Sequence, residues 1–100
     1  MIDKIDRTVH EPARLLLLIY LFSVETADFT FLKQQTGMTQ GNLSSHLSKL
    51  ETAGYIHTEK LFKNRRPLTL VKISDSGREA FKTYVNSMYH YFSDLKQMVK

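Results

Sequence analysis

Thr39, Gln40, Gly41, Asn42, Ser44, Ser45 and Lys49 stand close together in a stretch whose only bulky apolar residues are leucines. The carboxamides of Gln40 and Asn42 each place a donor beside an acceptor, which matches the edge of an adenine, and the hydroxyls of Ser44 and Ser45 can donate to bases or phosphates. Gly41 would let the backbone approach such a surface closely. Further along, Lys60, Lys63, Arg65 and Arg66 make a cationic stretch that could lie along a phosphate backbone or send an arginine into a narrow minor groove. This is the chemistry of recognition rather than of bond making.

The charge distribution agrees. Residues 38–72 hold six basic residues (Lys49, Lys60, Lys63, Arg65, Arg66, Lys72) and two acidic ones (Glu51, Glu59), so they carry the whole formal excess of +4. The rest of the chain balances at eight of each sign. An excess confined to one third of the sequence is expected where a single face meets a polyanion.

Other chemistries find no support. There is no Gly-rich phosphate loop, no nucleophile elbow and no carboxylate pair in a plausible pocket, so no catalytic residues and no cofactor are expected. His10, His57 and His90 lie on separate elements without a second ligand at a fixed short spacing, and no metal site is expected. With no cysteine among 100 residues, a reducing compartment is the simplest home, and a cytoplasmic location is expected. The apolar run 15–22 is too short to span a bilayer, and Asp3, Asp6 and Glu11 ahead of it do not suit an export signal. No membrane association is expected.

The chain is read as one domain, residues 1–100. Pro12 suits the first turn of a helix that carries the apolar run and ends near Ser23. Asp28 or Thr30 can cap a short second helix that buries Phe29 and Leu32 and stops at Gly37. Thr39 opens a third helix, whose Leu43, Leu47 and Leu50 form one buried stripe, and Gly54 ends it. At about 100° per residue, Gly41, Asn42, Ser45, Ser48, Lys49 and Thr52 then face outward. His46 falls at the margin of the stripe as a packing residue with one polar end.

Two stretches rich in strand formers, 55–62 and 68–73, read as a β-hairpin with the cationic stretch at its tip, stiffened by Pro67. Ser74 or Asp75 caps a last helix that runs to about residue 98. The expected fold is mainly α with a small β-hairpin (α+β): a helix-turn-helix over about 28–53, a wing hairpin over about 55–73 and a long C-terminal helix over about 75–98. That order is the layout of a winged helix-turn-helix.

The last helix carries Phe81, Val85, Met88, Phe92, Leu95 and Val99 at spacings of three and four, widened by Tyr84, Tyr91 and Met98. So small a domain cannot cover so long a stripe alone. The expected cover is the same helix of a second subunit, with Ile2 and Ile5 beside it, giving a homodimer whose interface includes Phe81, Tyr84, Val85, Met88, Tyr91, Phe92 and Leu95. A small-molecule effector pocket lined by Tyr and Met is the weaker reading of the same residues.

The stretch 41–56, Gly-Asn-Leu-Ser-Ser-His-Leu-Ser-Lys-Leu-Glu-Thr-Ala-Gly-Tyr-Ile, resembles the recognition helix and following strand of the MarR-like and ArsR-like winged-helix regulators. Arg65, Arg66, Pro67, Thr69 and the run 74–81 are similar to the wing and final-helix entry of a compact subgroup of them. In the ArsR-like pattern a histidine stands where His46 does. The wing departs from the pattern, which would have a glycine near Asn64 and a basic residue at Leu68. The resemblance implies a transcriptional regulator that binds double-stranded DNA, with the helix over 39–53 in the major groove and the wing 60–67 on the backbone or minor groove. For a homodimer, the operator would be a near-palindrome. Two other readings are a winged helix that binds a protein partner and a nonspecific architectural DNA binder. Against the first, the outward face of the third helix lacks the aromatic anchors of a protein-binding surface.

Overall fold

The computed structural model describes residues 4–99. The first helix, α1 (Pro12–Ser23), begins with Pro12 in its first turn and with the Glu11 carboxylate accepting from the Arg14 N–H at 2.9 Å. Proline costs nothing there because the first-turn N–H groups have no helical partner. α1 runs through the middle of the core, burying Leu17, Leu18 and Leu21 completely or nearly so.

A two-residue strand, β1 (Ala27–Asp28), leads into α2 (Phe29–Thr36). Asp28 caps α2 by accepting from the Phe31 N–H at 2.7 Å, and Gly37 ends it in the left-handed region at φ 71°. Gly37, Met38 and Thr39 make the turn to α3 (Gln40–Thr52), where the Thr39 hydroxyl accepts from the Asn42 N–H at 3.1 Å. Leu43, Leu47 and Leu50 are buried as their spacing requires, and Gly54 follows the helix at φ 81°. Phe29, expected inside, is only half-buried and packs on the margin of the core.

The hairpin comprises β2 (Ile56–Lys63) and β3 (Arg66–Ile73), in register from Ile56 opposite Ile73 to Lys63 opposite Arg66. It is two strands of a three-stranded antiparallel sheet, ordered β1-β3-β2, because Ala27 and Asp28 pair with Val71 and Leu70. The sequence reading has no β1: two residues are too few to show a period. Ile56, Val71 and Ile73 close the core beneath the sheet.

The last helix, α4 (Asp75–Met98), is capped by Ser74 rather than Asp75, the Ser74 hydroxyl accepting from the Gly77 N–H at 2.9 Å. That hydroxyl also donates to the Gly54 carbonyl at 2.6 Å, so the start of α4 is fastened to the end of α3. A side chain at Gly77 would collide with the Tyr55 carbonyl oxygen, which makes glycine necessary at this crossing. The domain is drawn out by α4 to 59 × 25 × 21 Å.

Candidate nucleic-acid interface

The three buried leucines fix the rotation of α3, with Gly41, Asn42, Ser45, Ser48 and Lys49 exposed on its other side and Gln40 and Ser44 exposed nearer the buried stripe. Thr39, exposed at the N-cap, spends its hydroxyl oxygen on the helix end. Apart from its chain neighbours and the backbone of α3 itself, nothing described lies within 4 Å of a Cβ built on Gly41, so folding does not require glycine there. α3 is tied to the start of α1 through half-buried His46, whose Nδ1 lies 3.2 Å from Arg14 Nη1 and 3.9 Å from Glu11 Oε1. Burial pulls the Glu11 pKa up, but the Arg14 N–H bond and the nearby His46 and Arg14 charges outweigh it and hold the group below its ordinary value.

The wing stands clear of the core, with residues 59–67 exposed on both strands. Asn64 and Arg65 form its two-residue turn at φ 54° and 64°. Positive φ at both central positions is the type I′ signature, whose twist matches that of the flanking strands. The glycine expected near Asn64 is therefore replaced by an asparagine, which tolerates this region, and an arginine, which does so at a cost. Pro67 lies in β3 opposite Phe62 rather than at the tip. The closing pair of a two-residue hairpin exchanges hydrogen bonds, so the next pair does not, and the missing N–H of Pro67 points toward the side where β1 does not reach.

Alternation divides the wing cations. Lys63 and Arg66 are directly opposite on one face, and Lys60 lies on the other with Thr69, Phe62 and Pro67. Like charges directly opposite repel. Among the described residues none of Lys49, Lys60, Lys63, Arg65 or Arg66 has a carboxylate within 4.0 Å. Glu51, the acid nearest in sequence to Lys49, accepts the Thr58 hydroxyl at 2.6 Å. Among the described residues these cations thus have no carboxylate partner.

Sequence reasoning overlooked Phe62. It is in step with buried Ile56 along β2, which suggests an inward side chain, yet no element covers the sheet so far out and the ring is 80% exposed beside the cations. The alternation showed its face but not the reach of the core.

The residues assigned to α4's stripe divide into two sets. Tyr84 is buried in the chain's own core, its hydroxyl 2.8 Å from His10 Nδ1, so it is not presented at the surface. Phe81 packs on Phe22 with ring centres 5.1 Å apart, and Ile5 and Met88 are half-buried against the core. Tyr91 is half-buried, while Val85, Phe92, Leu95, Met98 and Val99 are exposed together with Tyr89, which the sequence reading did not include. Ile2 lies outside the described residues. No described helix is long and apolar enough to cross a membrane.

Comparison with known proteins places this geometry in a family. An uncharacterized protein of Methanocaldococcus jannaschii is 40% identical over 72 residues, covering 72% of this chain and 78% of its own. The structure of a transcriptional regulator homologue from Pyrococcus horikoshii OT3 superimposes with a TM-score of 0.85 at 32% identity, covering 90% of this chain and 89% of that one. A protein from Enterococcus faecalis V583, assigned as a transcriptional regulator of the MarR family, has the same fold at 24% identity, with a TM-score of 0.74 over 92% of this chain and 82% of its own. The family model for the winged helix DNA-binding domain matches residues 13–92, and the chain belongs to that family.

Proposed function

We propose that the protein is a transcriptional regulator that binds duplex DNA as a homodimer and catalyses no reaction. The observation that carries this reading is the pairing of an outward α3 face of polar residues with a wing whose cations have no carboxylate partner among the described residues. In this arrangement Gln40, Asn42, Ser44 and Ser45 meet base edges in the major groove. Lys49, Lys60, Lys63, Arg65 and Arg66 meet phosphates or the adjacent minor groove. The protein acts in the cytoplasm, where its operator is.

Dimerisation is supported by the exposed apolar stripe of α4, where Phe92 is 63% and Leu95 52% exposed. The stripe continues into an open groove of about 500 Å³ lined in part by Phe22, Phe81, Val85 and Tyr89. At roughly 25 cal/mol per Å², covering a few such side chains favours pairing by several kcal/mol before the cost of association. A two-fold dimer presents two α3 helices to a near-palindrome with half-sites roughly 34–36 Å apart.

The reading is tested by gel-shift titration of duplex genomic fragments at several salt concentrations. Each cation that neutralises a phosphate releases condensed counterions, so affinity is expected to fall steeply as salt rises. Failure to retain any fragment at low salt would overturn the reading.

A further inference from the structure

A second cationic site lies outside the wing, at the C-terminal half of α3. A cleft of about 470 Å³ separates α3 from the segment that precedes α1, and it is lined by Arg7, Thr8, Arg14, Ser48, Lys49 and Thr52, with no carboxylate among its lining residues. Three cations and three hydroxyls therefore converge from two separate parts of the chain.

Glu51 accepts the Thr58 hydroxyl, and the other two described acids close to the cleft in sequence are engaged as well. Asp6 accepts from the N–H groups of Thr8 and Val9 and from the Tyr55 hydroxyl, and Glu11 accepts from the Arg14 N–H. The Tyr55 pKa is pushed up to about 12 by that bond to Asp6, with burial and the Asp6 charge adding to it. Neither acid is free to swing into the cleft without breaking these bonds.

The segment is also held in place. Arg14 donates from Nε to the Thr8 carbonyl at 2.6 Å and from Nη2 to the Arg7 carbonyl at 3.4 Å, so its guanidinium fastens the backbone that carries Arg7. The Arg7 side chain is exposed and, among the described residues, has no carboxylate within 4.0 Å, as is also true of Lys49 across the cleft. A charged pair on a fixed backbone binds an anion at less ordering cost than a loose arm would.

We propose that this cleft takes a phosphate of the DNA backbone between Arg7 and Lys49, with Ser48 and Thr52 donating to the same group. The inference rests on the DNA-binding reading above and deepens it. A helix lying in the major groove runs between two phosphate walls, and contacts of this kind set its register without reading sequence. The wing and the cleft then hold α3 at two places, and Arg14 acts as a positioning residue through the carbonyls of Arg7 and Thr8.

The test is fluorescence anisotropy of labelled duplex against salt concentration, using the full chain, Arg7→Gln, the double variant Arg7→Gln with Lys49→Gln, and Lys96→Gln from the far end of α4 as control. Arg7→Gln is expected to weaken binding to all duplexes alike and to flatten the log–log salt slope, the double variant to reduce it by about one per bound protomer and so by about two for a dimer, and the control to leave it unchanged. Thermal melting should be unchanged by Arg7→Gln, because the side chain is exposed. Wild-type protein that binds duplex with a steep slope, which Arg7→Gln leaves intact, would overturn the inference while leaving the DNA-binding reading in place. Wild-type protein that binds no duplex would remove both. Titration with inorganic phosphate separates the remaining source: Arg7-dependent binding of the free ion, with an unchanged duplex slope, would make this a free-anion site and overturn the backbone assignment.

Discussion

Gly41, in the first turn of α3, has no structural need to be glycine, since the space around its missing Cβ is open. A helix interior favours alanine over glycine by about 0.5–1 kcal/mol, so Gly41→Ala is expected to raise or preserve the melting temperature. It is also expected to weaken DNA binding, because the added methyl stands where the backbone approaches the duplex. Melting and binding measured on the same preparation check both halves; unaltered affinity would show that the helix start does not approach DNA closely. Gly77 is the contrary case, with a carbonyl oxygen in the way of any side chain. Only the structure separates these two, because both are glycines near the start of a helix. Three of the caps were legible in the sequence for the opposite reason, Thr39 outright and Asp28 and Ser74 each as one of two candidates: all three bond N–H groups three residues away, and so local a bond needs no knowledge of the fold.

At the scale of the element, the wing joins strain to function. Arg65 at φ 64° costs on the order of 1–2 kcal/mol relative to a residue without a Cβ. Arg65→Gly is therefore expected to stabilise the fold by up to about that amount while weakening binding to every duplex and flattening the salt slope. Denaturant unfolding and a salt series report the two effects separately, and a variant that gains stability without losing affinity would show that the turn does not touch DNA. In α3, by contrast, Asn42→Ala should leave the slope and cost roughly 1–3 kcal/mol of discrimination between operator and competitor. The wing's two strands and its cationic stretch were legible, but its turn was not. Asn64 and Arg65 lack the glycine that marks such turns, and without it the sequence does not show that Pro67 lies in β3 rather than at the tip.

At the scale of the whole molecule, α4 reads as one apolar stripe in sequence and serves two surfaces in space. Periodicity shows that Phe81, Tyr84, Met88, Phe92 and Leu95 share a side of the helix, but it cannot show which of them the chain covers itself. The first three pack into or against its own core, and Phe92 and Leu95 remain exposed. The cleft beside Lys49 was illegible for a related reason, since Arg7 and Arg14 meet α3 only through tertiary packing. Phe92→Glu with Leu95→Glu changes exposed positions alone, so it is expected to leave the fold intact and convert a dimer to an 11.6 kDa monomer in light scattering. Wild-type protein that is already monomeric at micromolar concentration would refute the dimer.

The central claim is that DNA lies against the outward face of α3 and the wing. Backbone amide shifts of the full chain, followed by NMR as a duplex carrying the binding site is added, test it directly. The account predicts that shifts concentrate in residues 39–49 and 60–67 at saturation, with residues 92–98 of α4 little changed. Shifts centred on the exposed stripe of α4, with α3 and the wing unmoved, would contradict it.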